Sequence, residues 1–282
     1  MGSEKYKKTE REIKENLFNL CNSISLDEIH FTITKINKIL KTGNYPKTYD
    51  LVQKLMKLLL IHNLSVKKNT KLFRVRQSIS IEKVKIEGLW FPSNEKNCNR
   101  GRFNCTECCM AYFADCPETA KNETYYKGSQ DYHILESYFF NTDLVTATVP
   151  IIDNDLRQIS ENKVNEYAVS CTKEIVNNFD KECQTKFLTI LDFFGKKIVE
   201  ETDDYGFTNM LGIMLFSGFN MDAFIYPSVK SGLKTNNFVF KPNIANENIK
   251  PIRGMQMFNE HKGIGQYFIY DKDAKPIFIG FS

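Results

Sequence analysis

The chain has 282 residues, 42% of them hydrophobic and 26% charged, with a formal net charge of +4. That length holds one large domain or two small ones, and the mix is that of a folded chain, which excludes a wholly disordered one. Lys and Arg are spread along the sequence with no dense basic block. This argues against a nucleic-acid face and leaves room for a local positive cleft. No secretory signal precedes Glu4-Lys5-Tyr6-Lys7-Lys8, and the longest apolar run, near residues 210–216, is far too short to cross a bilayer. A cytoplasmic protein with no membrane partner is expected.

Residues 1 to about 65 read as a helical N-terminal extension. Ser25-Leu26-Asp27-Glu28 is a capping box. Ile29, Ile33, Ile36 and Leu40 follow at spacings of four, three and four and make one apolar stripe. Gly43-Asn44 stops that helix, and Leu51, Leu55, Leu58 and Leu59 suggest a second. Ser65 to Thr70 reads as a polar joint. The stripes need a surface to bury against, so these helices are expected to pack onto the rest of the chain, with an adaptor role as the alternative.

From Leu72 the pattern changes to short strands. Met110–Ala114 is a buried-strand candidate. Asp115, Pro117 and Glu118 then mark a helix start, with Asp115 as the acceptor cap. Tyr112 therefore falls near a strand end, and Glu123 about two turns into the next helix. Helices return between Ser160 and Glu201, where Tyr167, Cys171 and Ile175, then Phe187, Leu191, Phe194 and Ile198, stand at helical spacing as core stripes. Thr208 is a candidate cap for a short helix over residues 209–216. Strands are expected over 223–226, 238–240, 267–270 and 277–281, with a turn at Asp271-Lys272-Asp273.

Several chemistries drop out. There is no phosphate-binding Gly-x-x-x-x-Gly-Lys-Ser/Thr loop and no His-Glu-x-x-His. Gly263-Ile264-Gly265 lacks the third glycine of a dinucleotide fingerprint. No Gly-x-Ser-x-Gly elbow surrounds Ser228. Eight cysteines without an export signal predict reduced thiols. Five of them cluster at Cys98, Cys105, Cys108, Cys109 and Cys116, and Cys105-x-x-Cys108 has metal-ligand spacing. No second well-spaced pair accompanies it and all four histidines lie elsewhere, so small buried hydrophobes are the expectation and no metal is assigned.

What remains is a dispersed constellation. Phe73-Arg74-Val75-Arg76, Gly101-Arg102-Phe103-Asn104, Tyr112-Phe113-Ala114, Glu118-Thr119-Ala120-Lys121-Asn122-Glu123, Tyr226-Pro227-Ser228 and Asn236-Asn237-Phe238 occur in this order. Together they resemble the RES-domain family, named for an arginine, a glutamate and a serine spread along the chain. The resemblance runs from about Phe73 to the C-terminus. It departs from the family pattern at Cys105-Thr106-Glu107-Cys108, where a glycine is common, and at Lys121, where an aliphatic residue is usual. It implies an α+β, ADP-ribosyltransferase-like core over residues 66–282, beside the helical extension over 1–65. The implied activity is cleavage of the nicotinamide–ribose bond of NAD, by phosphorolysis or hydrolysis. NAD is then the substrate, with no further cofactor, and the biological role is that of a toxin or defence effector restrained by a protein antitoxin. Modification of a protein target by ADP-ribosyl transfer, a non-catalytic interaction protein, and a zinc-dependent nucleic-acid module are the alternatives.

The resemblance assigns roles residue by residue. Glu123 is the catalytic carboxylate. Losing nicotinamide builds positive charge on the ribose, and a carboxylate beneath the sugar stabilises that state and grips a ribose hydroxyl. Arg74 matches the arginine that contacts the NAD phosphates, a task suited to a planar fork. Arg76 shares its strand face, so either could reach the ligand. Arg102 serves the cleft or the scaffold. Tyr112, eleven residues before Glu123, can stack on nicotinamide. Tyr226 and Ser228 bind substrate, with Ser228 as a hydrogen-bonding group and not a nucleophile.

Overall fold

A computed structural model describes residues 12, 14–77, 89–90, 101–104, 109–124, 132–140, 144–152, 161–201, 205–257, 264–268 and 277–281, with side chains up to Met255. Cys98, Cys105, Cys108 and the turn at Asp271-Lys272-Asp273 lie outside these residues. The fold is α+β. Two compact units compose it, and each is assembled from separate stretches of chain. One takes residues 1–62, 149–157 and 163–210; the other takes 63–148, 158–162 and 211–282.

The first unit is helical. Helix α1 (Leu26–Leu40) is capped as expected, with the Glu28 N–H donating to Ser25 Oγ at 3.2 Å. The second half of the box is not made, because the Glu28 carboxylate pairs with Lys54 of α2 (Tyr49–Met56). Ile29 and Ile36 are fully buried, and α1 packs on α2 and on α5 (Lys181–Glu200). Helix α5 buries Phe187, Leu191, Phe194 and Ile198, the four positions its spacing predicted. Helix α4 (Lys163–Val176) corrects the expectation for its own stripe. Asn165, Ala168, Thr172 and Val176 are buried, while Tyr167 is 56% exposed. The inward face is small and polar because it makes specific bonds. Asn165 Oδ1 accepts from the Ile151 N–H at 2.8 Å, and Thr172 Oγ1 meets His62 Nε2 at 2.7 Å. The N-terminal stretch of this unit ends at His62, near the expected boundary at 65. It shares its unit with α4 and α5, which the sequence assigns to the 66–282 domain.

The second unit is built on a ten-stranded sheet in the order β1-β5-β6-β7-β3-β2-β4-β8-β9-β10. The strands are β1 (His62–Val66), β2 (Lys71–Gln77), β3 (Ala111–Ala114), β4 (Tyr132–Phe139), β5 (Leu144–Thr148), β6 (Ala223–Pro227), β7 (Asn236–Phe240), β8 (Ile249–Met257), β9 (Ile264–Phe268) and β10 (Ile277–Phe281). Ser65 thus belongs to a strand, and the polar joint shortens to the turn around Asn69, whose φ is +68°. Strands β5 and β6 run parallel, and β6, β7 and β3 are antiparallel neighbours. Strand β2 pairs with β4 along its whole length but meets β3 at one register pair, Phe73 opposite Ala114. The sheet opens at that point. Helix α3 (Pro117–Thr124) covers the same face, where Phe73, Val75, Ala114, Ala120, Tyr132 and Ile134 form one core cluster.

Two helix starts differ from expectation. Asp115 does not cap α3; its carboxylate is used across the sheet, and Cys116 takes the position before Pro117, its Sγ 3.5 Å from the Thr119 N–H. Helix α6 (Gly206–Ile213) starts earlier than predicted and runs into a π-helical turn, Met214–Gly218. Thr208 lies inside its first turn, and Glu201 supplies the acceptor for the N–H groups of Phe207 and Thr208, both at 2.8 Å. Among the described residues, no helix is long and apolar enough to cross a membrane. Cys109 is disulfide-bonded, which corrects the expectation that every thiol is reduced; Cys21, Cys116, Cys171 and Cys183 are free.

Candidate functional site

Glu123 stands in the last turn of α3. Thr119 and Ala120, one turn earlier, are buried, which anchors that helix face and carries Glu123 over the adjoining strands. Its side chain is exposed, yet it is held in place. Ser228 Oγ donates to Glu123 Oε1 at 2.6 Å, and Asn237 Nδ2 donates to the same oxygen at 2.8 Å. Both donors are buried, Ser228 completely and Asn237 to 3% exposure. Two donors on one carboxylate oxygen fix the rotamer. Oε2 has no protein partner among the described residues, so it is the oxygen left to face a ligand.

The donors reach Glu123 because of strand register. Tyr226 of β6 and Ala114 of β3 both lie opposite Asn237 of β7, so the three residues share one face. Ser228 follows β6 directly and caps the short turn Val229–Ser231, its Oγ accepting from the Ser231 N–H at 3.2 Å. Its hydroxyl proton is therefore committed to Glu123. In this arrangement the serine orients the carboxylate; the resemblance had given it the dinucleotide.

A polar network ties this corner to α3. Asp115 Oδ2 accepts from the Asn236 N–H at 2.8 Å and from Asn236 Nδ2 at 3.0 Å. Asn162 Nδ2 donates to Asn236 Oδ1 at 2.9 Å. The hydroxyls of Thr119, Thr235 and Ser231 follow one another at 2.6 Å steps. Burial raises the Asp115 carboxyl above its ordinary value even though Asn236 bonds oppose it. Its Oδ1 is buried with no partner.

The other wall of the site is the turn Gly101–Asn104. Tyr112 Oη accepts from the Phe103 N–H at 2.7 Å. A Cβ at Gly101 would come within 3.3 Å of that oxygen, so glycine permits the approach. The Phe103 ring packs on those of Phe224 and Tyr226, with centroids 5.1 and 5.0 Å apart. Arg102 is 8% exposed and lies 6.0 Å above the Tyr226 ring. Tyr226 is itself buried and flanked by these groups, so it and Arg102 build the wall. Tyr112 is half-buried and keeps open surface for a planar ligand.

Arg74 lies apart from Glu123. Phe73 and Val75 point into the cluster beneath α3, so Arg74 and Arg76 leave β2 on the opposite side. Arg74 Nη1 donates to the Tyr112 carbonyl at 2.8 Å, and Arg76 Nη2 to the Trp90 carbonyl at 3.1 Å. Burial and the neighbouring Arg76 pull the Arg74 guanidinium down from 12.5 to about 9, and burial lowers Arg76 as well.

The structure therefore joins Glu123, Ser228, Tyr226, Arg102 and Tyr112 into one corner, and sets Arg74 beside Tyr112 through its backbone. The sequence does not mark Asn237, Asp115 or Asn162 as parts of the site. Asn237 lay within a motif already singled out. Asp115 reads in the sequence as a local cap, and nothing near Asn162 signals its long-range bonds. No group of three or more metal-ligating side chains occurs among the described residues. No protein-family model matches the chain, and no curated protein matches it.

Proposed function

We propose that the protein cleaves the nicotinamide–ribose bond of NAD and belongs with RES-type enzymes of ADP-ribosyltransferase-like fold. The observation that carries this reading is the state of Glu123. One carboxylate oxygen is held by Ser228 and Asn237, and the other is left to the ligand. The two donors come from segments more than 100 residues away in sequence, and Ser228 falls where the resemblance calls for a functional group.

In the reaction the bond between C1′ of the ribose and the nicotinamide nitrogen breaks. Its electron pair leaves with neutral nicotinamide, and positive charge develops on the sugar. Ionised Glu123 stabilises that charge, and Oε2 accepts from a ribose hydroxyl. Two buried donors on Oε1 hold the carboxylate in place, so little reorganisation accompanies charge development. Tyr112 offers a face to the nicotinamide. The acceptor oxygen, from phosphate, water or a protein side chain, then bonds to C1′. A protein antitoxin that covers the exposed Glu123 would hold such an enzyme in check.

The test is to incubate the purified chain with NAD, with and without inorganic phosphate, and to identify products by mass. Free nicotinamide together with ADP-ribose 1″-phosphate, ADP-ribose or a modified protein supports the reading and names the acceptor. Intact NAD in every arm rejects it.

A further inference from the structure

Cys21 and Cys183 are far apart in sequence and meet inside the helical unit. Cys21 lies at the end of the helical stretch over residues 14–22, and Cys183 is the third residue of α5. Both are free and buried, at 0% and 1% exposure. Their side chains are hydrogen-bonded to each other. Two further contacts fix the approach. Cys183 Sγ stands 4.0 Å from Asn22 Oδ1, and the Lys186 ammonium donates to the Cys21 carbonyl at 3.2 Å. The Cys183 N–H is held by Asp180 Oδ1 at 2.8 Å, so its sulfur is mounted on a capped helix end.

Packing alone does not account for this cluster. Buried cysteines commonly serve as small hydrophobes, and that role needs no cation. Here Lys186 is 4% exposed and its charge acts on both thiols. Glu182 pairs with it from the rim at 2.8 Å. Burial, then the bond to Cys183, pushes the Cys21 thiol up to about 12, with Lys186 opposing. Cys21 therefore keeps its proton, which leaves the Cys183 sulfur as the first nucleophile of the pair. The cluster is one layer deep. Asn22, Ser23, Lys181 and Glu182 around it are exposed, so a small oxidant has a short way in. The other free thiols are occupied differently: Cys116 meets the Thr119 hydroxyl at 2.9 Å, and Cys171 bonds Tyr167.

We infer that Cys21 and Cys183 are a paired modification site, a dithiol that a peroxide-class oxidant converts to a disulfide. Thiols in hydrogen-bond contact stand within the side-chain reach from which a disulfide closes. The Cys183 sulfur attacks one peroxide oxygen, the O–O bond breaks, and Cys183 becomes a sulfenic acid as the first water leaves. The Cys21 sulfur then displaces the hydroxyl, and its proton departs with that hydroxyl as the second water. Two electrons pass from the sulfurs to the peroxide. Lys186 steadies the negative charge on each sulfur as it attacks. The bridge fastens the stretch before α1 to α5, and a closed loop that long strongly restricts the unfolded chain.

The test is peptide mapping of the full chain, purified under reducing conditions, before and after hydrogen peroxide, with free thiols alkylated and no reductant in the digest. A peptide joining Cys21 to Cys183 should appear after peroxide and vanish with dithiothreitol. Oxidised wild type should also melt at least about 5 °C above oxidised Cys183→Ser, beyond any difference between the two when reduced. The disulfide at Cys109 is common to both proteins and cancels in that comparison. Cys21→Ser should behave as Cys183→Ser does. Three results overturn the inference: both cysteines still alkylatable in peroxide-treated wild type once it is unfolded, Cys183 carried on to sulfinic acid with no bridge, or either residue bridged to a different cysteine. If neither serine variant folds, the wild-type map decides alone. No sample contains NAD, so the result stands whether or not the protein cleaves it.

Discussion

Glu123 and the Arg74–Arg76 pair are opposite solutions to placing charge in one unit of the protein. The glutamate is exposed, and two buried donors fix one of its oxygens. The arginines are half-buried, and each retains a buried Nε–H without an acceptor. Exposure lets water stabilise the carboxylate, so its donors serve orientation more than solvation. Burial removes water from the two Nε–H groups, so leaving them without an acceptor is costly. One charge is held ready to act; the other two each spend an arm on a backbone carbonyl.

The largest effect should come from removing the ready charge. Glu123→Gln keeps the shape and can still accept from Ser228, but it cannot offset a developing oxocarbenium. NAD turnover is expected to fall by at least about 100-fold, in line with loss of a principal electrostatic stabiliser, while circular dichroism stays unchanged. Near-normal turnover would break the comparison, because the held carboxylate would then be a surface feature.

A smaller loss is expected from loosening its supports. Ser228→Ala and Asn237→Ala each remove one donor from Oε1, at roughly 1 kcal/mol, which is about fivefold in rate. The loss should appear in kcat with KM little changed, since neither group is assigned to substrate. The double variant should lose less than the product of the singles, because both act on one oxygen. Equal losses in KM and no coupling would mean that Ser228 and Asn237 bind the dinucleotide directly, as the resemblance gave for the serine.

How much of this was legible in the sequence differs from element to element. Helix α5 was plain, because its buried positions are large, apolar and at helical spacing. Strand β4 was not. It is buried on both faces and carries His133, Glu136 and Ser137 among apolar residues, so it shows neither alternation nor a clean apolar run. The site was readable in its motifs and not in its bonds. Glu123 and Ser228 could be singled out, but their contact depends on β6–β7 register and on a turn 105 residues away. Arg74 could be singled out too. Its separation from Glu123 follows from which face of β2 packs under α3, a fact set by long-range pairing with β4.

Asp115 offers a test of the corner that leaves every proposed ligand contact alone. Its carboxylate holds the Asn236 backbone and amide, one residue before Asn237, and its Oδ1 lies buried without a partner. Burial raises its pKa above the ordinary 3.8, against the opposing bonds from Asn236. The folded protein therefore holds this proton more tightly than the unfolded chain does. As pH rises from about 4 toward neutrality, the unfolded chain loses the proton first, and the contribution of this group to stability declines until the folded carboxyl has ionised too. Glu136 has the opposite sign: burial pushes it up, but bonds from Arg253 and Lys71 outweigh that and lower it. Its contribution is present above the ordinary carboxylate range and is lost as pH falls through its folded value. Asp115→Asn keeps an acceptor for the Asn236 N–H and removes the titration, leaving that of Glu136 intact. The difference in melting temperature between variant and wild type should therefore shift toward the variant as pH rises from about 4 to 7, by on the order of a few degrees. A difference that stays constant across that range would show that ionising Asp115 costs the fold nothing and that the buried Oδ1 has found a partner.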